Sequence, residues 1–204
     1  MPSKAQQNKL HKKNSLLSAA LSLLTSNDLQ DVSISDITSK AGVAKGTFYL
    51  FFKDKYEIRD YLIARESRRI LQNAQAELDK NDIRAFDDAI IFMISQILNQ
   101  LCENPLLLRL IRRNLSWGAF HKQLHSTLED SDLDVSARFE QHAKSAGIYY
   151  ADPKMVYFMI LELTGSVCYT SIVDGIPAPI EVVRPALFDA VRAILASARR
   201  IEAA

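Results

Sequence analysis

Apolar residues in this chain recur at three- and four-residue intervals almost from end to end, and no stretch longer than a few residues alternates with period two. With only six Gly and six Pro in 204 residues, few positions favour hairpin turns or interrupt helices. The expected fold class is therefore all-α, three small helices followed by a series of longer ones. The length suits one ordinary domain or two small ones, long enough to bury a sizeable core. Hydrophobic residues at 48% and charged residues at 24% exclude a disordered or fibrous chain.

The spacing predicts a first helix over about 8–25, with Leu17, Ala20, Leu21 and Leu24 on one face. Lys9, Lys12 and Lys13 before an apolar run superficially resemble a secretory leader. Ser18 and Ser22 interrupt that run, however, and no small-x-small cleavage site follows. A short helix is expected over 34–41, with Ser33 as N-cap and Asp36 three residues on, a capping box using Asp for Glu. Gly42 is its expected left-handed stop. A third helix is expected over 45–51 and a long charged one from 53 to about 80. The later helices are expected over 83–103, 105–113, 115–128, 133–146, 153–173 and 179–200, the last with Pro185 as a kink position.

The longest apolar run, 155–161, falls short of the roughly 18 residues a membrane span needs. A soluble, cytoplasmic protein is expected. Cys102 and Cys168 are too few for a disulfide scaffold and read as buried thiols, ahead of a redox pair. Lys plus Arg is 25 and Asp plus Glu is 24, so there is no global pull toward nucleic acid or lipid. Residues 1–60 hold nine Lys or Arg against six Asp or Glu, a mildly basic front end.

One motif carries functional information. Two short helices joined by Ala41-Gly42-Val43-Ala44 make a helix-turn-helix, with Gly allowing the tight turn. Phe48, Phe51 and Phe52 stand at i, i+3 and i+4 and should anchor the second helix to a core. That leaves Lys45, Gly46, Thr47, Tyr49 and Leu50 largely outward, a surface suited to a DNA major groove. Ser33 and Lys55, each at a helix start, are the expected phosphate contacts.

The string Ala41-Gly-Val-Ala-Lys-Gly-Thr-Phe-Tyr-Leu-Phe-Phe-Lys-Asp-Lys55 resembles the signature of the TetR family of bacterial transcriptional regulators. The resemblance is dense over 16–62; beyond it only length and helix pattern match. It implies a DNA-binding head, drawn here as 1–53, and a helical ligand-binding and dimerisation domain, 54–204. It also implies a homodimer that binds a small inducer and pairs through its last two long helices. By position, Lys45, Thr47 and Tyr49 would be groove or backbone contacts, and Lys55 a phosphate contact. Ala44 stands where many relatives have a capping Ser, and Leu50 where a His is common.

Other constellations are weaker. His121 and His125 have the spacing of two metal ligands, but Lys122 stands where a zinc protease needs Glu, so no metal site is expected. Asp130, Asp132 and Asp134 fail as a calcium loop, because Val135 occupies the Gly position and Gln141 that of the bidentate Glu. Glu162, deep in an apolar run, belongs either at a dimer seam or beside a ligand. Trp117, His121 and Glu162, with Phe92 or Phe158 as apolar wall, are the candidate ligand contacts. The last helix is apolar around most of its circumference and needs a partner outside its own subunit. Gly165 and Tyr169 on the preceding helix, with Leu187, Val191 and Ile194, are the candidate dimer contacts.

The leading expectation is a dimeric, ligand-responsive regulator, most often a repressor released from a palindromic operator. The rivals are a nonspecific architectural DNA binder and a small helical enzyme. No nucleophile–base set and no cofactor motif is readable, so neither a catalytic residue nor a cofactor is expected.

Overall fold

The computed structural model describes residues 3–114 and 135–200. It divides into two compact units, Met1–Glu66 and Ser67–Ala204.

The first unit is built on helix α1, Lys4–Ser26. This helix starts ahead of the expected position because Ser3 and Gln6 cap it reciprocally, at 2.7 and 3.3 Å. Leu16, Leu17, Ala20 and Leu24 form its buried face. Helix α2, Ile34–Ala41, starts at the expected cap: the Ser33 hydroxyl accepts from the Asp36 N–H, and the Asp36 carboxylate accepts from the Ser33 N–H. It stops at Gly42, φ +67°, where the Gly42 N–H donates to Ser39 and the Val43 N–H to Thr38. Those two bonds satisfy carbonyls that the end of the helix would otherwise strand.

Helix α3 is only Lys45–Tyr49, shorter than expected, and a turn in which Phe51 and Phe52 N–H groups both donate to the Phe48 carbonyl completes it. Helix α4, Lys55–Asp79, is capped by Asp54, whose carboxylate accepts from the N–H groups of Tyr56 and Glu57. Its first turns carry Ile58, Leu62 and Ile63, all fully buried, and Tyr61 lays its ring against Phe52 and under the Lys13 ammonium. Those contacts explain why the first unit runs to Glu66, past the boundary drawn at 53/54.

The second unit contains the rest of α4, then α5, Phe86–Glu103, and α6, Pro105–Asn114, restarted with Pro105 at its first position. The helix expected over 115–128 lies outside the described residues. Helix α7, Val135–Ser145, precedes Gly147 at φ +69°. Helix α8, Pro153–Tyr169, is capped by Asp152 and followed by a π-helical turn, Thr170–Asp174. Helix α9, Ile180–Ala198, runs through Pro185. A two-residue antiparallel pair, Tyr149–Tyr150 (β1) with Arg199–Arg200 (β2), was not expected; so short a pair has no periodicity to read.

The core of this unit joins α5, α7, α8 and α9 through Leu98, Phe139, Ile160, Leu187, Val191 and Leu195. Arg192 to Asp88 and Arg184 to Asn99, each at 2.8 Å, tie α9 along α5. By length and composition alone the segment Pro153–Asp174 would qualify as a membrane span, with a mean hydropathy of 1.5 and 28% of it buried. Single runs of apolar residues missed this because Glu162, Thr164 and Ser166 interrupt them.

Candidate nucleic-acid interface and ligand cavity

In the first unit, Phe48 is fully buried and Phe52 is 3% exposed, pinning α3 to the head. On the other side Tyr49 is 53% and Leu50 74% exposed, Lys45 and Gly46 are exposed, and Thr47 is half-buried. A Cβ added to Gly46 would meet nothing within 4 Å, so packing inside the head does not require glycine there. Ala44 makes no side-chain cap bond to α3, as its methyl group dictates.

Two expected phosphate contacts are otherwise employed. The Ser33 hydroxyl gives its one proton to the Asp36 carboxylate at 2.6 Å. That bond and the Ser33 N–H hold the Asp36 carboxyl below its ordinary range, placing a negative charge beside the supposed phosphate site. The Lys55 ammonium donates to the carbonyls of Leu29, Gln30 and Val32, at 2.7, 3.2 and 3.1 Å. An ammonium has three protons, and all three are taken. Sequence reasoning missed this because the acceptors are backbone groups more than twenty residues away.

The second unit encloses a cavity of about 520 Å³ walled by α4, α5, α7 and α8. Leu71 and Leu78 of α4, Ile90, Met93, Ile94 and Ile97 of α5, and Tyr157, Ile160 and Leu161 of α8 supply most of the wall. At one end Phe86, Phe139 and Tyr157 pack ring against ring, Phe139 lying 5.4 Å from Phe86 and 6.0 Å from Tyr157. Polar groups are few: Arg68, Gln72, Gln75 and Asp79 from α4, Arg138 and His142 from α7, and Thr164 from α8.

This wall differs from the one expected. Phe92, Phe158 and Glu162 do not line it, and Trp117 and His121 lie outside the described residues. On α8 the lining positions are 157, 160, 161, 164, 165 and 168, so 158 and 162 fall on another face of the same helix. The usable signal was on α4, where Arg68, Leu71, Gln72, Gln75, Leu78 and Asp79 repeat at helical spacing as a mixed polar and apolar stripe.

Of the expected dimer contacts, Leu187 and Val191 are buried in the subunit's own core, at 3% and 0% exposure, and Gly165 lines the cavity. Tyr169 and Ile194 are half-buried. The exposed apolar face of α8 consists instead of Met155, Phe158 and Met159, 40–53% exposed, with Val182 of α9 exposed at 68%. Among the described residues no group of three His, Cys, Asp or Glu could hold a metal ion, and His121 and His125 are not among those residues. Burial pushes the Cys168 thiol up to about 12 and raises that of Cys102, which keeps both as unreactive thiols.

The family model for bacterial regulatory proteins of the tetR family matches residues 16–62, the segment from the buried face of α1 to the first turns of α4. An uncharacterized HTH-type transcriptional regulator of Bacillus subtilis, YvdT, is 50% identical over 40 residues. That match spans 20% of this chain and only 21% of the relative. Among solved structures, the fatty acid degradation regulator FadR of Bacillus halodurans is similar with a TM-score of 0.68 at 15% identity, over 90% of this chain and 97% of that one. FadR of Bacillus subtilis, in complex with stearoyl-CoA, matches with a TM-score of 0.68 at 16% identity, over 88% and 97%. A TetR-family protein of Haemophilus influenzae matches at 20% identity and a TM-score of 0.62, over 97% and 100%. The tetR family model thus covers the helix-turn-helix head, residues 16–62, and the solved structures share the helical fold over most of the chain's length.

Proposed function

We propose that this chain is a homodimeric, sequence-specific DNA-binding transcriptional regulator, a repressor released from a palindromic operator by a small molecule bound in the second unit. The observation that carries this reading is α3, fixed from behind by Phe48 and Phe52 yet holding Tyr49 and Leu50 in solvent. A five-residue helix has little stability of its own, so its exposed face is there to meet something. Lys45, Thr47 and Tyr49 supply a cation and hydroxyls for base edges and phosphates, and Gly46 lets the other surface come close to the backbone.

The uncovered face of α8 supports dimerisation. Met155, Phe158 and Met159 form an exposed apolar stripe on α8 that a second copy would cover, with the half-buried Glu162 at its edge. The cavity lies within the common range for small-molecule sites and is mainly apolar. FadR of Bacillus subtilis, similar in fold, holds stearoyl-CoA, which supports an apolar ligand here. Such a ligand acts by favouring one conformer of the dimer, and it must bind the DNA-free state more tightly to release DNA. A regulator of this kind works in the cytoplasm, where its DNA is.

The test is selection of bound sequences from a random DNA pool at moderate salt. Enrichment of one palindrome with two equal half-sites is the expected result. Uniform recovery of all sequences would favour a nonspecific binder, although the mildly basic first sixty residues offer little charge for that mode.

A further inference from the structure

The cavity has a direction. Arg68 and Asp79, both on its wall, are separated along α4 by about 16 Å at 1.5 Å per residue. The Gln100 side chain donates to the Ile70 carbonyl at 3.1 Å, so the Arg68 end of α4 is level with the end of α5. Cys102, in the last turn of α5, packs against the core cluster that holds Cys168, which brings the end of α8 to the same level, with Thr164 one turn before it. Arg68 and Thr164 therefore belong to one end of the cavity. Arg138, His142 and Asp79, all exposed, belong to the other. Between them the wall is Leu71, Ile90, Met93, Ile94, Ile97 and Ile160.

Two side chains at the Arg68 end set it apart. The Thr164 hydroxyl oxygen is buried and makes no hydrogen bond. A helical Thr ordinarily bonds a carbonyl one turn back, as the Thr170 hydroxyl does with Ser166 at 3.1 Å. A buried hydroxyl without a partner calls for an explanation, and a ligand oxygen supplies one. The Arg68 guanidinium has Nε and Nη2 withdrawn from water. Its planar fork carries five donors, enough to serve a ligand oxygen as well as a protein partner.

We propose that this cavity binds a long-chain monocarboxylate head first, its carboxylate at Arg68 and Thr164 and its hydrocarbon chain running toward the aromatic end; the inference rests on the second unit being the ligand-sensing part of a regulator. The charge selects a carboxylate, because a buried anion needs both a cation and a hydrogen bond. The opposite end does not select one, because Arg138 and His142 there are exposed, share the wall with the carboxylate of Asp79 and are screened by solvent. The head-first orientation also excludes acids esterified to a bulky carrier.

The experiment is calorimetric binding of dodecanoate, dodecan-1-ol and dodecanoyl-coenzyme A to the full chain, and to R68Q and T164V variants checked for a native unfolding midpoint. Dodecanoate is expected to bind wild-type protein more tightly than the alcohol by about tenfold or more. That ratio should collapse in R68Q and shrink in T164V, because a charged head loses more there than a neutral hydroxyl does. Equal binding of acid and alcohol to wild-type protein, tighter binding of the coenzyme A ester, or an unchanged ratio in R68Q would each overturn the proposal, and the first two need no variant to fold. DNA selection is scored separately. A palindrome without carboxylate preference overturns only this inference, while carboxylate preference without DNA binding overturns only the regulator reading.

Discussion

The Lys55 ammonium donates a 2.7 Å hydrogen bond to the carbonyl of Leu29, and the carbonyls of Gln30 and Val32 accept from it at 3.2 and 3.1 Å. One side chain thus closes the loop between α1 and α2, just ahead of the Ser33 cap. Hydrogen bonds from a charged donor contribute about 1.5–3 kcal/mol each when buried, and these are partly exposed. Lys55→Met is expected to lower unfolding stability by about 2 kcal/mol. If the variant binds DNA, the salt dependence of binding should match wild type. A log–log slope reduced by about one would instead mark Lys55 as a phosphate contact.

On α3 the expected effects separate affinity from folding. Tyr49→Ala should weaken operator binding by about 1–3 kcal/mol while the dimer and the unfolding midpoint persist. Gly46→Ala should raise stability by about 0.5–1 kcal/mol, since its methyl meets nothing in the head, yet weaken DNA binding. Parallel fluorescence-anisotropy and denaturation series would show whether the two quantities move apart.

Ala44 precedes α3 with extended backbone, φ −67° and ψ 148°, and no side-chain cap. Ala44→Ser supplies the missing acceptor for an N–H of the first turn. A gain of about 0.5–2 kcal/mol in urea unfolding is expected, with no change in its slope.

Phe158 and Leu187 divide the surface from the core. Phe158→Glu places a charge on an exposed apolar face and is expected to yield folded monomer in analytical ultracentrifugation. Leu187→Ala is expected to cost about 2–5 kcal/mol of stability, because its side chain is buried within the subunit. Monomer formation by the second variant at full stability would reverse the assignment.

Asp36 gives a pH dependence with a defined sign. Its folded carboxyl lies below the ordinary 3.8 because Ser33 donates to it through hydroxyl and N–H. The stabilisation is therefore complete above that ordinary value and is lost as pH falls through the lower folded one. Asp36→Asn should remove this component from an acid unfolding series and leave the rest of the curve in place.

The parts of this protein that were legible in sequence are those where cause and effect lie within one turn of helix. Ser33 and Asp36 are three residues apart, so their capping box depends on little else. Gly42 stops α2 because only a residue without Cβ enters the left-handed region cheaply. The aromatic spacing of Phe48, Phe51 and Phe52 fixed which way Tyr49 would point for the same reason.

Tertiary packing decided the rest. Helix α8 is apolar on nearly every side, so its periodicity could not say that Tyr157, Ile160 and Thr164 would face a cavity while Phe158 and Glu162 turned away. On α9, Leu187 and Val191 look as suited to a partner subunit as to a core, and only the position of α5 and α8 settles the matter. The three carbonyls that hold Lys55 are contributed by a loop that the chain reaches only after folding back on itself. Hydrophobic burial has no direction, so sequence determines that such faces must be covered, and the packed neighbours determine by what.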